Sequence, residues 1–322
     1  MDYGNIITRA WNITWNNKFL WVLGFLAALT SAGSNSNSFQ QSYNQSDFAN
    51  NPELFMAIGA AVMVLTCVFM IIGLILWLLS IAARGGLIDG VNRIDDGEQM
   101  TLKQAFSAGF KSVWRLIAVY ILAYLPLIII SIVVGIIAVM AIGGAAAMGS
   151  MMQNPPDEAG AALIGSLGLL GMCLCLVVCA LIPLTIVLSF IAEFAVRGVM
   201  IQNIGVLDSL SHGWRIFKEN LGPVIILSLL LLVISIMVSF VLGIIMIPLS
   251  LMLFAPTFIS LFNDGMLNGL QIVYAVGSSL LLAVVGAALM AVVQTWSSAV
   301  WTLAYKEFTG KKPDVVPVEK LA

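Results

Sequence analysis

The sequence predicts an all-α integral membrane protein with six transmembrane helices in three helix-hairpin repeats, each preceded by a cytoplasmic amphipathic interfacial helix. Three observations lead to this. Of the 322 residues, 61% are hydrophobic and 9% charged, with a mean hydropathy of +1.04, whereas soluble domains carry about 45–50% and about 25%. The apolar residues are gathered into six long runs. All fourteen Lys and Arg residues fall on one side of a six-span arrangement.

The runs lie near 19–33, 53–83, 113–142, 163–195, 221–255 and 271–304. Crossing about 30 Å of hydrocarbon takes about 20 apolar residues in a helix. Five runs exceed that length, which implies tilt or extension beyond the bilayer. The first is short and needs Trp21 and the preceding helix to complete a crossing. Pro126, Pro183, Pro223 and Pro248 sit in or at the ends of the runs, where a missing N–H bends a helix. Phe19–Leu29 followed by Ser31, Ala32 and Gly33 could pass for a signal peptide. About eighteen residues containing Trp11 and Trp15 precede it, however, in place of a short basic region, so it is read as retained.

Orientation follows from charge. The loops near 31–52, 143–162 and 256–270 contain no Lys or Arg, although they carry Asp47, Glu53, Asp157, Glu158 and Asp264. Basic residues in short loops stay on the cytoplasmic side, which places both termini and the segments near 84–112 and 196–220 inside a plasma (inner) membrane. The first outer loop, Ser31–Ser46, is rich in Ser, Asn and Gln and lacks apolar periodicity, so it reads as a mobile loop.

Each pair of spans is preceded by a short amphipathic stretch. Apolar positions fall at helical spacing: Tyr3, Ile6, Ile7, Ala10 and Trp11; then Leu102, Ala105, Phe106, Gly109, Phe110 and Val113; then Leu207, Leu210, Trp214 and Phe217. Polar residues, including Asn5, Arg9, Lys103, Lys111, His212 and Arg215, occupy the positions between them. Such helices lie in the headgroup plane with the greasy face down. Thr101 and Gln104 have capping-box spacing, marking a helix start. Aligning Trp11, Phe110 and Trp214 also aligns Ala10, Gly109 and Gly213, at intervals of 99 and 104 residues. The chain therefore reads as a single transmembrane domain over 1–322, with repeat units at about 1–83, 101–195 and 206–304 and a cytoplasmic tail at 305–322. Such repeats would be parallel, about an axis along the membrane normal.

Composition and motifs exclude several functions. A net charge of −2 argues against nucleic acid, which needs a basic footprint. No H-E-x-x-H, G-x-S-x-G or Walker A pattern occurs, and His212 is the sole histidine. Cys67, Cys173, Cys175 and Cys179 lie in apolar runs without His or carboxylate neighbours and read as small hydrophobes. No cofactor or metal is expected. Asp95, Asp96 and Glu98 form a turn-like acidic cluster, read as a solvated loop. Glu193 and Arg197, four apart on one helix face, read as an interfacial ion pair. Gln294 and Ser297, with Thr295 and Ser298, form a polar cluster in the last span that either lines a substrate path or bonds a neighbouring helix.

The segment from Ala192 to Asn220 resembles the membrane-domain family of glycerophosphoryl diester phosphodiesterases. In that family a Ser/Gly-Trp-x-x-x-x-x-Asn pattern leads into a span, matched here by Gly213, Trp214 and Asn220, and echoed by Ala10, Trp11 and Asn17. The family's phosphodiesterase chemistry resides in a separate soluble barrel for which this chain has no room. The resemblance therefore implies architecture and no catalytic residues. The expected role is that of a non-enzymatic scaffold, partner-binding or lipid-organising protein. Its partners would be membrane lipids and other membrane proteins, and its alternative a transporter or permease for a small or lipid-like substrate.

Overall fold

A computed structural model describes residues 2–32, 52–151, 157–264 and 269–310. Among these, eight helices account for nearly every residue and no strand occurs. In chain order they are α1 (Tyr3–Asn16), α2 (Phe19–Ala32), α3 (Pro52–Asp95), α4 (Leu102–Met151), α5 (Asp157–Gln202), α6 (Val206–Glu219), α7 (Leu221–Asp264) and α8 (Gly269–Phe308). Most of the Ser/Asn/Gln-rich stretch at 31–46 lies outside the described residues.

Five helices are long and apolar enough to cross a membrane, through Thr66–Asp95 in α3, Leu102–Met140 in α4, Cys175–Gln202 in α5, Leu221–Ser260 in α7 and Val273–Phe308 in α8. These stretches expose large apolar side chains: Met140 is 71% and Phe240 72% exposed. A continuous greasy exterior of this kind is stable in lipid and would aggregate in water. The chain is a multi-pass α-helical membrane protein.

The run expected as the first span is α2, which has 14 residues and reaches only about 21 Å at 1.5 Å per residue. Packing compensates for its length. Leu20, Leu23 and Ala27 are fully buried, because α2 lies between α3 and α8. Ser80 Oγ on α3 donates to the Ala27 carbonyl at 3.3 Å, while Gly90 abuts Leu20, so α2 and α3 run antiparallel. On the other side Thr295 Oγ1 of α8 donates to the Leu20 carbonyl at 3.1 Å. A Cβ at Gly24 would overlap Thr295 and the backbone of Ala291.

The second amphipathic stretch is not a helix of its own. Thr101 N–H and Oγ1 both donate to Gln104 Oε1 at 3.0 Å, which starts α4 where the capping box places it. No breaker follows, and the helix continues through Pro126 to Met151. α1 and α6, by contrast, are separate. Asn17 closes α1, its backbone and side-chain N–H groups both donating to the Ile13 carbonyl, and Asn220 separates α6 from α7. Helices also extend into expected loops: α4 reaches Met151, α7 reaches Asp264, and α8 continues to Phe308 within the expected tail.

The chain forms two compact units, residues 1–114 with 220–322, and residues 115–219. In the first, α2 packs on α3 and α8, while α1 and α7 also pack on α8. In the second, α5 packs on α6, and Tyr124 of α4 shares a 3.1 Å hydrogen bond with Ser189 of α5.

Candidate functional site

The three amphipathic segments show how each aligned pair is used. Ala10 is fully buried on α1. A Cβ at Gly109 would collide with the Ala82 carbonyl of α3, and one at Gly213 with the Ile191 carbonyl of α5. The small residue is thus the point of closest approach to a neighbouring long helix. The aromatic one position later points away, with Trp11 48%, Phe110 62% and Trp214 48% exposed.

This rotates the buried stripe from the one periodicity suggests. On α6 the buried residues are Ser209, Gly213, Ile216 and Phe217, whereas Leu207 is 70% exposed. Phe217 stacks on Phe190 of α5 at 5.7 Å between ring centres, and Trp214 leans on Phe217 at 6.1 Å. On α1 the buried set is Ile6, Ala10, Ile13 and Thr14. The apolar arc is wide enough to serve two neighbours, on α6 with Gly213, Ile216 and Phe217 towards protein and Leu207 and Trp214 outward. Trp11, Trp15 and Trp21 form a continuous aromatic row, successive ring centres 5.4 Å apart. Trp21 Nε1 donates to the Thr14 carbonyl at 2.9 Å, tying α1 to α2.

His212 has a partner that its sequence context does not reveal. Arg215 Nη2 lies 3.2 Å from His212 Nδ1, and since guanidinium only donates, Nδ1 accepts and the ring is neutral. Burial, followed by repulsion from Arg215, lowers its pKa below the ordinary 6.5, with Glu219 pulling the other way. Asn220, which the family resemblance singles out, lies at the α6–α7 junction. Its carbonyl accepts from Val224 N–H at 3.0 Å, opening the first turn of α7.

The acidic cluster after α3 is the largest correction to the sequence reading. It is not simply a solvated loop. The Asp95 carboxylate is fully buried, 2.5 Å from Arg9 on α1 and 2.7 Å from Lys306 on α8. Lys306, itself withdrawn from the surface, also contacts Asp96 at 2.6 Å. Arg93 pairs with Asp89 and Glu98 around the same turn. The turn is set by Gly97 at φ 83°: Glu98 N–H donates to the Arg93 carbonyl and Gly97 N–H to that of Ile94, a Schellman closure that needs a left-handed residue. The signal available in sequence was Asp-Asp-Gly at a helix end, but its cationic partners lie 86 positions upstream and 211 downstream. Arg9 therefore faces protein, although the helical pattern places it on a wet face.

Glu193 and Arg197 do pair, at 2.9 Å, but Arg197 is fully buried rather than at a headgroup surface. The left-handed Asn203, φ 53°, ends α5 and accepts from Arg115 at 2.5 Å. Gln294 and Ser297 line a hollow of about 900 Å³ bounded by α2, α7 and α8. Thr295, between them, bonds α2 instead. Cys67, Cys175 and Cys179 are exposed, unpaired thiols. The side chain of Cys173 lies outside the described residues. Among the described residues no group of three or more His, Cys, Asp or Glu converges as metal ligands would.

Residues 8–304 match a family of unknown function, DUF7544, and the chain belongs to that family. No curated protein and no solved structure matches it.

Proposed function

We propose that this chain is a non-enzymatic protein of the plasma (inner) membrane, with both termini cytoplasmic, that organises lipid and docks partner proteins at its cytoplasmic face. The observation carrying this reading is the outward placement of Trp11, Phe110 and Trp214 beside the packed Ala10, Gly109 and Gly213. Each segment is clamped to a long helix through its small residue, which leaves an aromatic side chain outward for the headgroup boundary. Nearby Lys111, Arg215 and Lys218 are exposed, and each adds about 1 kcal/mol near an anionic surface.

The reading includes six crossings and three repeats. α1 packs on α8, the head of α4 on α3 and α6 on α5. Each amphipathic segment thus rests on the returning helix of the preceding hairpin, with the first resting on the last. That pattern, together with the 99- and 104-residue intervals, supports a parallel threefold plan and the likeness to the phosphodiesterase membrane domain. The ion pairs joining Arg9, Asp95 and Lys306 hold α1, the end of α3 and the end of α8 at one level. This supports counting α2 as a crossing, since α3 must otherwise return from nowhere.

Reconstitution into phosphatidylcholine bilayers containing phosphatidylglycerol tests the role. Spin-labelled phosphatidylglycerol is expected to show a larger motionally restricted fraction than spin-labelled phosphatidylcholine, and the difference should shrink in a Trp11→Ser/Trp214→Ser variant. Equal fractions for the two lipids reject the reading. The hollow lined by Gln294 and Ser297 favours a second one, transfer of a lipid-like substrate, for which accelerated flip of a fluorescent lipid in the same vesicles is the assay.

A further inference from the structure

The corner where α3 turns into α4 holds a cleft of about 620 Å³, walled only by residues between Arg93 and Lys111. One wall is the closing turn after α3. The other is the head of α4, which contributes Lys103, Gln104, Ser107 and Lys111. Residues four apart lie one above the other on a helix, so Lys103, Ser107 and Lys111 form a single polar row.

Charge in this cleft is unbalanced. Glu98, the only carboxylate in the lining, is engaged by Arg93, which Asp89 also answers. Among the described residues no ion pair reaches Lys103 or Lys111, which leaves two ammonium groups without a counter-charge. Gln104 adds to the surplus of donors. Its Oε1 accepts from both Thr101 N–H and Thr101 Oγ1, which occupies both lone pairs and leaves the amide NH2 for a ligand. A concave surface of ammonium, amide and hydroxyl donors suits the oxygens of a phosphate.

The same face of α4 identifies where that phosphate comes from. Trp114, Ile121, Leu125 and Ile132 continue the lysine row at helical spacing, and all are exposed. An indole at such a place marks the headgroup boundary. Lys111 is three residues, or about 4.5 Å, above it at 1.5 Å per residue, and Lys103 about 12 Å farther. A soluble anion would use the lysines and leave the apolar track bare, whereas a glycerophospholipid uses both.

We infer that the α3–α4 corner is a binding site for one anionic glycerophospholipid, its phosphate held between Lys103 and Lys111 and an acyl chain lying on α4 from Trp114 towards Ile132. This deepens the lipid-organising reading and rests on it for the level of the corner in the membrane, but it uses neither Trp11 nor Trp214. The two therefore fail separately. A Trp11→Ser/Trp214→Ser variant that leaves the spin-label preference unchanged counts against the general reading and leaves this site standing.

Native mass spectrometry of the full-length protein, stripped of bulk lipid in detergent, tests the site with phosphatidylglycerol, phosphatidylcholine of the same chains, and inorganic phosphate. Wild type is expected to retain one phosphatidylglycerol in preference to phosphatidylcholine, whose choline charge opposes the lysines. Lys103→Gln and Lys111→Gln should each lower that retention about five-fold, the worth of one basic residue at an anionic surface. Lys103→Arg/Lys111→Arg should preserve it. Ser107→Phe, which fills the cleft without changing charge, should lower it, and Lys311→Gln/Lys312→Gln, which removes two charges from the tail, should not. Equal retention of the two lipids by wild type, or retention unmoved by the lysine and Ser107 variants, overturns the site. An equal loss in the tail variant reduces the effect to net charge and overturns it too. Displacement of the lipid by millimolar inorganic phosphate, with loss of phosphate binding in Lys103→Gln/Lys111→Gln, would make this a soluble-anion site and reject the lipid.

Discussion

Asp95 and Lys306, 211 positions apart in the chain, form a 2.7 Å ion pair with the carboxylate fully buried and the lysine nearly so. With Arg9 on the far side of the carboxylate, the pair joins the N-terminal helix, the end of α3 and the end of α8. Removing one partner strands the other charge, whereas a third charge nearby limits the loss. Lys306→Met should still destabilise the protein, by up to about 3 kcal/mol, because Arg9 goes on answering Asp95 but Asp96 loses its partner. Arg9→Gln should cost less, because its side chain is 32% exposed and Lys306 still answers Asp95. Thermal unfolding in detergent, with proteolysis after Lys306 as a second readout, checks the order. A larger effect from Arg9→Gln would mean that α1, and not α8, depends chiefly on Asp95.

Gly109 and Gly213 are predicted to tolerate no side chain. A Cβ at either would strike a backbone carbonyl of a neighbouring helix, and a backbone cannot swing aside as a side-chain tip can. Gly109→Ala and Gly213→Ala should each cost about 1–3 kcal/mol from overpacking, although alanine is the better helix former. Gly222→Ala, with open space around it, should be neutral or stabilising. Parallel melting curves for the three variants are sufficient.

On α6, Phe217 and Trp214 should separate stability from surface behaviour. Phe217, 8% exposed and stacked on Phe190, should lose about 3–5 kcal/mol as Phe217→Ala. Trp214→Ala, at a half-exposed position, should change the melting temperature little and raise the mobility of a spin label at Ser211 in bilayers. A label that stays equally immobile in Trp214→Ala would mean that contacts with α5 alone hold the helix.

His212 gives α6 a pH dependence. Its folded pKa is lowered from 6.5, mainly by burial, so the unfolded state binds more protons and stability rises with pH. The contribution is fully present above 6.5 and is lost as pH falls through 6.5 towards the lowered folded value. Amide protection along α6, corrected for the intrinsic exchange rate at each pH, should fall between pH 7.5 and pH 5.5 in wild type. It should do so less in His212→Gln, with Arg215 and Glu219 unchanged beside it. Identical pH profiles would place the sensitivity elsewhere.

Topology can be read directly. In a cysteine-free background, single cysteines at Gln153 and Asn268 should react with an impermeant maleimide in intact cells, and one at Glu98 should not. Labelling at Glu98 would invert the orientation drawn from the basic residues.

The sequence by itself determined the solvent, the helical class and five of the spans, because an uninterrupted apolar run of sufficient length has no stable state other than a helix in lipid. It also determined the start of α4, since the Thr101–Gln104 capping box is a local device. The positions of α1 and α6 were legible for the same reason, as 3.6-residue periodicity is written within a dozen residues. The direction of their faces was not. Leu207, Trp214 and Phe217 share an apolar arc, and only the approach of α5 to Gly213 decides that Phe217 turns inward and Trp214 outward. The second amphipathic stretch is the head of α4, and nothing in its composition says that it continues into a span. The tertiary structure alone decided the fate of Asp95, which reads as turn chemistry and becomes a buried ion because Arg9 and Lys306 are brought to it. It likewise decided that Gln294 and Ser297 line a hollow while Thr295 between them bonds α2. Periodicity reports which residues share a face of one helix, whereas ion pairs and cavities depend on which helices meet, and that is settled by packing between segments hundreds of residues apart.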